Sequence, residues 1–496
     1  MKKYLLDITI FSAGMPFSAD HIDKGKSLGG SETAALQCAH ALAKQGHRVM
    51  LFCNTEKEHE RGGVTYVPIG WVPTPGVGGF PKGFFDYARS TPCDLMVIQR
   101  MPAMYQFEVK SKVNFLWQHD LATRTGPSNF HNQAWNIDRI LTVSGFMKQQ
   151  YQKVHGGPDR LYHVTRNGVD LDLIDNAKSK GERDRFKVMF TARPERGLDI
   201  LLRDVWPRMV QAEPRLRLHF CRYDDPATLP LYQELEALAK SYGESCVNLG
   251  NLGKQDLYGH YKTARLVLYP SVFEEVFCIS AHEQGACGTM MIGPWKGALP
   301  ETCAGTHLLI RDNGSIGRQG DAIDPGFGKP TKEFLDTFVS ETIDLIHNDE
   351  RWDKMTKATR QRAEELTWDA VAEDWVNLAH KIIAEKSSDP RNMVKHFLVH
   401  SDVVAAKKYA EKVNVPAVTQ SADKYIERFV PFVNVADGSE RKKAIADFYE
   451  QRSGGQGADY RTAFWAETEP RCRLLLDWIA ARRGEIETVL DFGGAH

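Results

Sequence analysis

Short apolar, β-branched runs alternate with helix-length stretches through the first three-quarters of the chain. Residues 4–11 read as a buried strand, 31–45 as a helix and 47–52 as the next strand, with later strands at 95–99 and 140–143. Ser31 is placed to cap that helix and Gly46 to end it. The alternation restarts at residue 186, with strands at 186–191, 216–221, 266–269 and 289–292 and a helix at 198–210. Strands separated by helices predict parallel sheets covered on both faces. The restart predicts two doubly wound α/β domains, and the lack of a short repeat excludes a solenoid.

A further helix begins near Thr367, with Trp368, Val371, Trp375 and Leu378 on one stripe. Ser387-Ser388-Asp389-Pro390 reads as a linker. The next hundred or so residues are mostly helical in character, including 404–412 and 471–483. The sequence finishes on Val489-Leu490-Asp491-Phe492-Gly493-Gly494, a strand running into a Gly-rich turn.

Composition narrows the function. The 496 residues carry 63 Lys plus Arg against 64 Asp plus Glu, a net charge of −1, which argues against a chain held broadly on DNA or anionic lipid. No apolar run reaches the ~18–20 residues that span a bilayer. Asp7 interrupts the first apolar run and no small-residue cleavage site follows, so a buried strand is expected there and not a signal peptide. Nine cysteines, an odd number without any C-x-x-C pair, predict free thiols in a reducing, cytoplasmic setting.

Three clusters carry chemistry. Gly29-Gly30-Ser31-Glu32 opens the first helix, where glycines let backbone approach a ligand and helix amides hold an anion. A tight turn with a cap fits the same residues. Arg193-Pro194-Glu195-Arg196-Gly197 follows a strand, and two guanidiniums there suit a diphosphate. A solvated loop pairing Glu195 with its neighbours is the competing reading. Glu275 and Glu283 stand in an E-x7-E spacing, one in a loop and one in the following helix, where they can accept hydrogen bonds from a polyhydroxylated ligand. Asp224-Asp225 lacks further ligands at metal-binding spacing and reads as a solvated turn.

Taken in order, these clusters resemble a GT-B glycosyltransferase of the retaining family 4 (group 1) type. Gly46-His47-Arg48-Val49, Trp117-Gln118-His119-Asp120, Val143-Ser144, Asn167-Gly168-Val169-Asp170 and Gly297-Ala298-Leu299-Pro300-Glu301 complete the series over roughly residues 1–385. The resemblance implies two Rossmann-like domains facing a cleft. These are an acceptor domain at 1–178 and a nucleotide-sugar domain at 179–366, with a helix at 367–386 crossing back to the first. A mostly helical extension at 387–486 would follow.

The resemblance also implies roles. Gly29 and Gly30 would approach the donor phosphates, and Arg193 and Arg196 would hold the diphosphate. Glu275 would stand nearest the transferred sugar, with Phe277, Cys278 and Ile279 lining the donor site and Glu283 on the ribose. His119 would contact the donor sugar, oriented by Asp120. It implies a UDP- or GDP-sugar donor, transfer with retention, no metal, and a glycan or lipid-linked glycan acceptor. In one departure, Glu275-Val276-Phe277-Cys278 stands where the family usually has E-G-F-G, which restricts the backbone and leaves the donor sugar open. Residues 487–496 resemble the first motif of class I S-adenosylmethionine (SAM) methyltransferases. The rest of such a site does not follow, so no SAM binding is expected of this chain. Competing readings are a DNA-base acceptor, which a basic groove on the first domain would favour, a protein acceptor, and a nucleotide-sugar-binding module of a transferase–methyltransferase fusion without turnover.

Overall fold

The computed structural model describes residues 4–19, 21, 28–73, 79–106, 109–123, 129–221, 229–311 and 330–388. The chain divides into two compact units, Met1–His380 and Lys381–His496. Both sheets belong to the first unit; of the second, only the end of a helix is described. Asp224-Asp225, the segments 404–412 and 471–483, and the terminal strand and turn at 487–496 lie outside the described residues.

The first half holds β1 (Asp7–Ser12), β2 (Arg48–Cys53), β3 (His59–Arg61), β4 (Val64–Pro68), β5 (Trp71–Val72), β6 (Phe80–Pro81), β7 (Cys93–Gln99), β8 (Ser111–Gln118), β9 (Arg139–Thr142) and β10 (Tyr162–Val164). Eight of these form one sheet in the order β10-β9-β8-β7-β1-β2-β4-β3, parallel except for the β3–β4 pair, while β5 and β6 form a separate antiparallel ribbon. The second half holds β11 (Asp184–Phe190), β12 (Arg217–Phe220), β13 (Cys246–Asn248), β14 (Ala264–Leu268), β15 (Met290–Pro294) and β16 (Leu308–Ile310), ordered β13-β12-β11-β14-β15-β16 and parallel throughout. Every residue of β7, β14 and β15 is buried, as expected of parallel strands covered on both faces. Strand β8 was not legible as a strand because Ser111, Lys112 and Asn114 break its apolar run.

The first helix runs Gly30–Lys44 and starts from Gly29 without a side-chain cap, so Ser31 is not the cap its position suggested. Ser31 lies in the first turn, where its Oγ donates to Glu32. Gly46 ends the helix as expected, at φ +91°, with its amide on the Ala43 carbonyl and that of His47 on Leu42. The helical run over 198–212 contains a widened π turn at Leu201–Val205, just before Pro207, whose missing N–H removes a ladder bond.

The two segments joining the halves run side by side. Val169 pairs with Thr367, and a Cβ on Gly168 would come 2.3 Å from the Trp368 nitrogen, so only glycine fits. Helix Trp368–Ser388 follows and continues through Ser387 and Ser388, which are therefore helix and not linker. Its Trp375 indole donates to Thr165, and Asp374 pairs with His163. Ala372, Val376 and Ala379 complete the buried stripe with Trp368, Val371 and Trp375, whereas Leu378 is only half-buried.

Candidate functional site

Doubly wound sheets bind ligands outside the carboxyl ends of their strands, where the strand order reverses. In the second half that point lies between β11 and β14. The loop after β11 carries Arg193 and Arg196; the loop after β14 carries Glu275. Gly197, at φ +116°, lets the two loops touch, since a Cβ there would meet the Pro270 carbonyl at 2.9 Å. Arg196 donates from Nη1 to Glu275 Oε1 at 3.1 Å and lies over the Phe273 ring at 4.1 Å. Tyr269 donates its hydroxyl to the same oxygen at 2.6 Å. Burial works to lower the Arg196 pKa, but Glu275 and Tyr269 outweigh it and the guanidinium stays charged. Arg193 instead pairs with Glu195, so the structure joins only one of the two arginines directly to the glutamate pair.

Glu283 is buried in helix Ile279–Ala286, as the spacing predicted. Lys254 Nζ reaches both its oxygens at 2.7 and 2.8 Å, and Tyr258 donates to Oε1 at 2.7 Å. Lys254 and Tyr258 sit four residues apart on helix Lys254–Tyr261 and carried no sequence signal. Cys278 precedes the Glu283 helix in the left-handed region, φ 72° and ψ 73°, and provides no side-chain cap. Burial pushes its thiol well up, so it stays protonated. Phe277 packs in the core with its ring 5.1 Å from His282, and its carbonyl accepts from Thr302. Its side chain is therefore structural, and only backbone of this residue is left to line a site. Ile279 is half-buried at the helix start.

In the first half the strand order reverses between β1 and β7. Ser12, ending β1, donates to Gln99 Oε1 at 2.5 Å. The Gln99 amide nitrogen lies 2.9 Å from both the Ser31 carbonyl and His119 Nε2. With Nε2 accepting, the His119 proton sits on Nδ1. Burial, then Arg100, pushes this imidazole down to about 3, so it works as a neutral group. Asp120 does not orient it: both carboxylate oxygens hold Arg100, at 2.6 and 2.9 Å. Arg100 itself has φ 63° and reaches Ser31 Oγ at 3.3 Å.

The two glycines of the opening loop have different jobs. A Cβ on Gly29 would fall 2.2 Å from the buried Glu32 carboxylate, and one on Gly14 would fall 2.0 Å from it. Gly29 thus makes room for Glu32. A Cβ on Gly30 would meet nothing within 4 Å, so Gly30 borders open space. From the second half, Glu301 reaches across to the first: its two oxygens accept from the Gly145 and Phe146 amides at 2.8 and 2.9 Å. Ser144 caps the same helix, Gly145–His155, by accepting from Met147. Among the described residues, no group of three or more His, Cys, Asp or Glu side chains is placed to hold a metal ion. No described helix is long and apolar enough to cross a membrane.

Residues 185–322, which include Arg196, Glu275, Glu283 and Glu301, match the family model of glycosyl transferases group 1. No curated protein matches the chain. Among solved structures, sucrose-phosphate synthase from Thermosynechococcus elongatus is similar over 76% of this chain and 99% of its own, with 19% identity and a TM-score of 0.57. A glycosyltransferase from Rickettsia africae covers 77% of this chain and 99% of its own at 12% identity and a TM-score of 0.57. HepE from Anabaena, solved with UDP, covers 76% and 100% at 13% identity and 0.53. Two doubly wound sheets, the second falling almost wholly within the group 1 match, together with these structural neighbours make this the GT-B fold of the glycosyltransferases.

Proposed function

We propose that the chain is a retaining, metal-independent glycosyltransferase that moves a sugar from a UDP- or GDP-sugar to a hydroxyl of a glycan or lipid-linked glycan. The observation that carries this reading is the Arg196–Glu275 contact at the switch point of the second sheet. A pyrophosphate lodged there would meet a guanidinium whose orientation is already fixed by Glu275 and Phe273. Cleavage of the anomeric bond builds negative charge on the departing phosphate, and a fixed cation lowers that barrier without reorganising. Arg193 would leave Glu195 to share the diphosphate. Glu275 Oε2 would accept from a sugar hydroxyl, and Glu283, held by Lys254 and Tyr258, would accept from the ribose.

Neutral His119 would offer its Nδ1–H to the donor sugar. The acceptor proton would pass to the departing phosphate oxygen, on the face where the new bond forms, which retains the anomeric configuration without a protein base. The Anabaena neighbour was solved with UDP and a starch synthase neighbour from Arabidopsis thaliana with ADP and acarbose, in line with a nucleotide-diphosphate site. The buried free thiols are in line with a reducing, cytoplasmic location.

Thermal shift with UDP, GDP and ADP, alone and as their sugars, tests the reading, because a ligand that binds only the folded chain raises Tm. One base is expected to stabilise above the others. Arg196→Ala should weaken binding of that nucleotide at least tenfold. Unchanged affinity would remove the assigned role.

A further inference from the structure

One exposed aromatic at the carboxyl edge of the first sheet has no part in the donor chemistry. Trp71 is 41% exposed, yet it is held firmly. Its indole Nε1 donates to Asn54 Oδ1 at 2.6 Å, and Asn54 Nδ2 donates to the Gly14 carbonyl at 2.7 Å. Met15 then donates its amide to Glu32 Oε1 at 3.1 Å, so the ring is tied to the loop that packs under Gly29. The backbone before Trp71 is fixed as well. Gly70, at φ +69°, lies against Gly83 so closely that a Cβ would come 2.9 Å from its Cα. Just before the ribbon partner β6, a Cβ on Gly79 would reach within 3.3 Å of Trp71 Cε3, so the glycine lets the backbone pack closely beside that edge of the ring.

A large indole kept rigid and open to solvent is suited to stacking, because a flat apolar face with a polar tip gives contact area at little entropic cost. Its neighbours decide what stacks. Trp71, Asn54, Gly14 and His119 follow β4, β2, β1 and β8, and Gln99 ends β7, a row along one carboxyl edge. At ~4.8 Å between neighbouring strands, Trp71 stands on the order of 20 Å from His119. That is too far for the sugar being transferred and spans several hexose units.

We propose that Trp71 is a stacking platform for a pyranose ring of an oligosaccharide acceptor, several units away from the hydroxyl that is glycosylated. The ring's C–H face would lie on the indole while its hydroxyls face water and the Asn54 side. This rests on the glycosyl-transfer reading and adds to it that the acceptor is an extended glycan.

The test is fluorine NMR of the full chain labelled with 5-fluorotryptophan, with the Trp71 signal identified by its loss in Trp71→Phe. Maltose-, cellulose-, chitin- and mannan-derived oligosaccharides of four units are titrated in the presence of UDP or GDP, alongside their monosaccharides and hexanol as a ringless apolar probe. At least one oligosaccharide should move the Trp71 signal, while its monosaccharide and hexanol do not. Trp71→Ala should weaken that binding tenfold or more, Trp71→Phe should retain most of it, and the nucleotide thermal shift should be unchanged in both. Silence across all four series, a shift by hexanol alone, an equal shift by the monosaccharide, or full affinity in Trp71→Ala would overturn the proposal. Loss of the nucleotide shift in the unsubstituted chain would instead strike at the transferase reading, so the two failures are distinguishable.

Discussion

Cys278 holds a backbone conformation that most side chains resist, at the position where the resembling family has glycine. The substitution was visible in the sequence, but its cost was not, since φ depends on how the loop closes onto helix Ile279–Ala286. Cys278→Gly and Cys278→Ala remove the same thiol, yet only glycine relieves the strain. Glycine should therefore be the more stable variant by about 1 kcal/mol in urea unfolding. Equal midpoints would show that the loop carries no such strain. Gly297, at φ +57°, poses the opposite case: a Cβ there would stand 2.5 Å from the Glu275 carbonyl. Gly297→Ala should displace the Glu275 loop, cost at least ~2 kcal/mol and abolish the nucleotide thermal shift. Full retention of nucleotide binding would contradict this.

At the scale of elements, helix Gly145–His155 is completed by a carboxylate from the other half. Ser144 serves one amide and Glu301 two more, at the positive end of the helix dipole. Glu301 thus links the two halves, and domain closure held by such a link excludes water from a reaction. Removing it in Glu301→Ala should cost about 1 kcal/mol of capping and favour separation of the halves. Small-angle scattering should then report a larger radius of gyration, and an unchanged radius would rule out a closing role. Ser144 and Glu301 each stood in a family mark, but their meeting at this helix was not legible, because 156 residues separate Gly145 from Glu301. The same holds for the aromatic stack in which Trp375 meets Trp117 at 4.7 Å and Trp117 meets His119 at 4.5 Å. Sequence showed the apolar stripe of the last helix, but which site residue it braces depends on the chain crossing back.

Across the whole molecule, several histidines are neutral. Burial, first among the causes, lowers His119 to about 3 and His219, His260 and His307 to about 4, and puts His282 well below its ordinary value. Unfolded, each would titrate near ~6.5. Between these values the unfolded chain binds more protons than the folded one, so stability rises with pH through the window from about 4 to 6.5. Tm should be several degrees lower at pH 5 than at pH 7.5. A flat profile would show that these imidazoles are not neutral in the folded state.

The local patterns by themselves determined the alternation of strands and helices, the restart near residue 186, the glycine stop at Gly46, the loops bearing Arg196 and Glu275, and the helix bearing Glu283. These depend on side-chain periodicity and turn chemistry within a few residues, which a linear sequence carries directly. Tertiary structure alone decided that Arg100 takes Asp120 from His119, that Lys254 and Tyr258 hold Glu283, that Gly29 serves Glu32 while Gly30 borders open space, and that Glu301 spans the halves. Apart from Gly29 and Glu32, which neighbour each other at one helix start, each of those contacts joins different loops or helices distant in the chain. They exist only once the sheets have ordered their strands, and no spacing along the chain encodes that order.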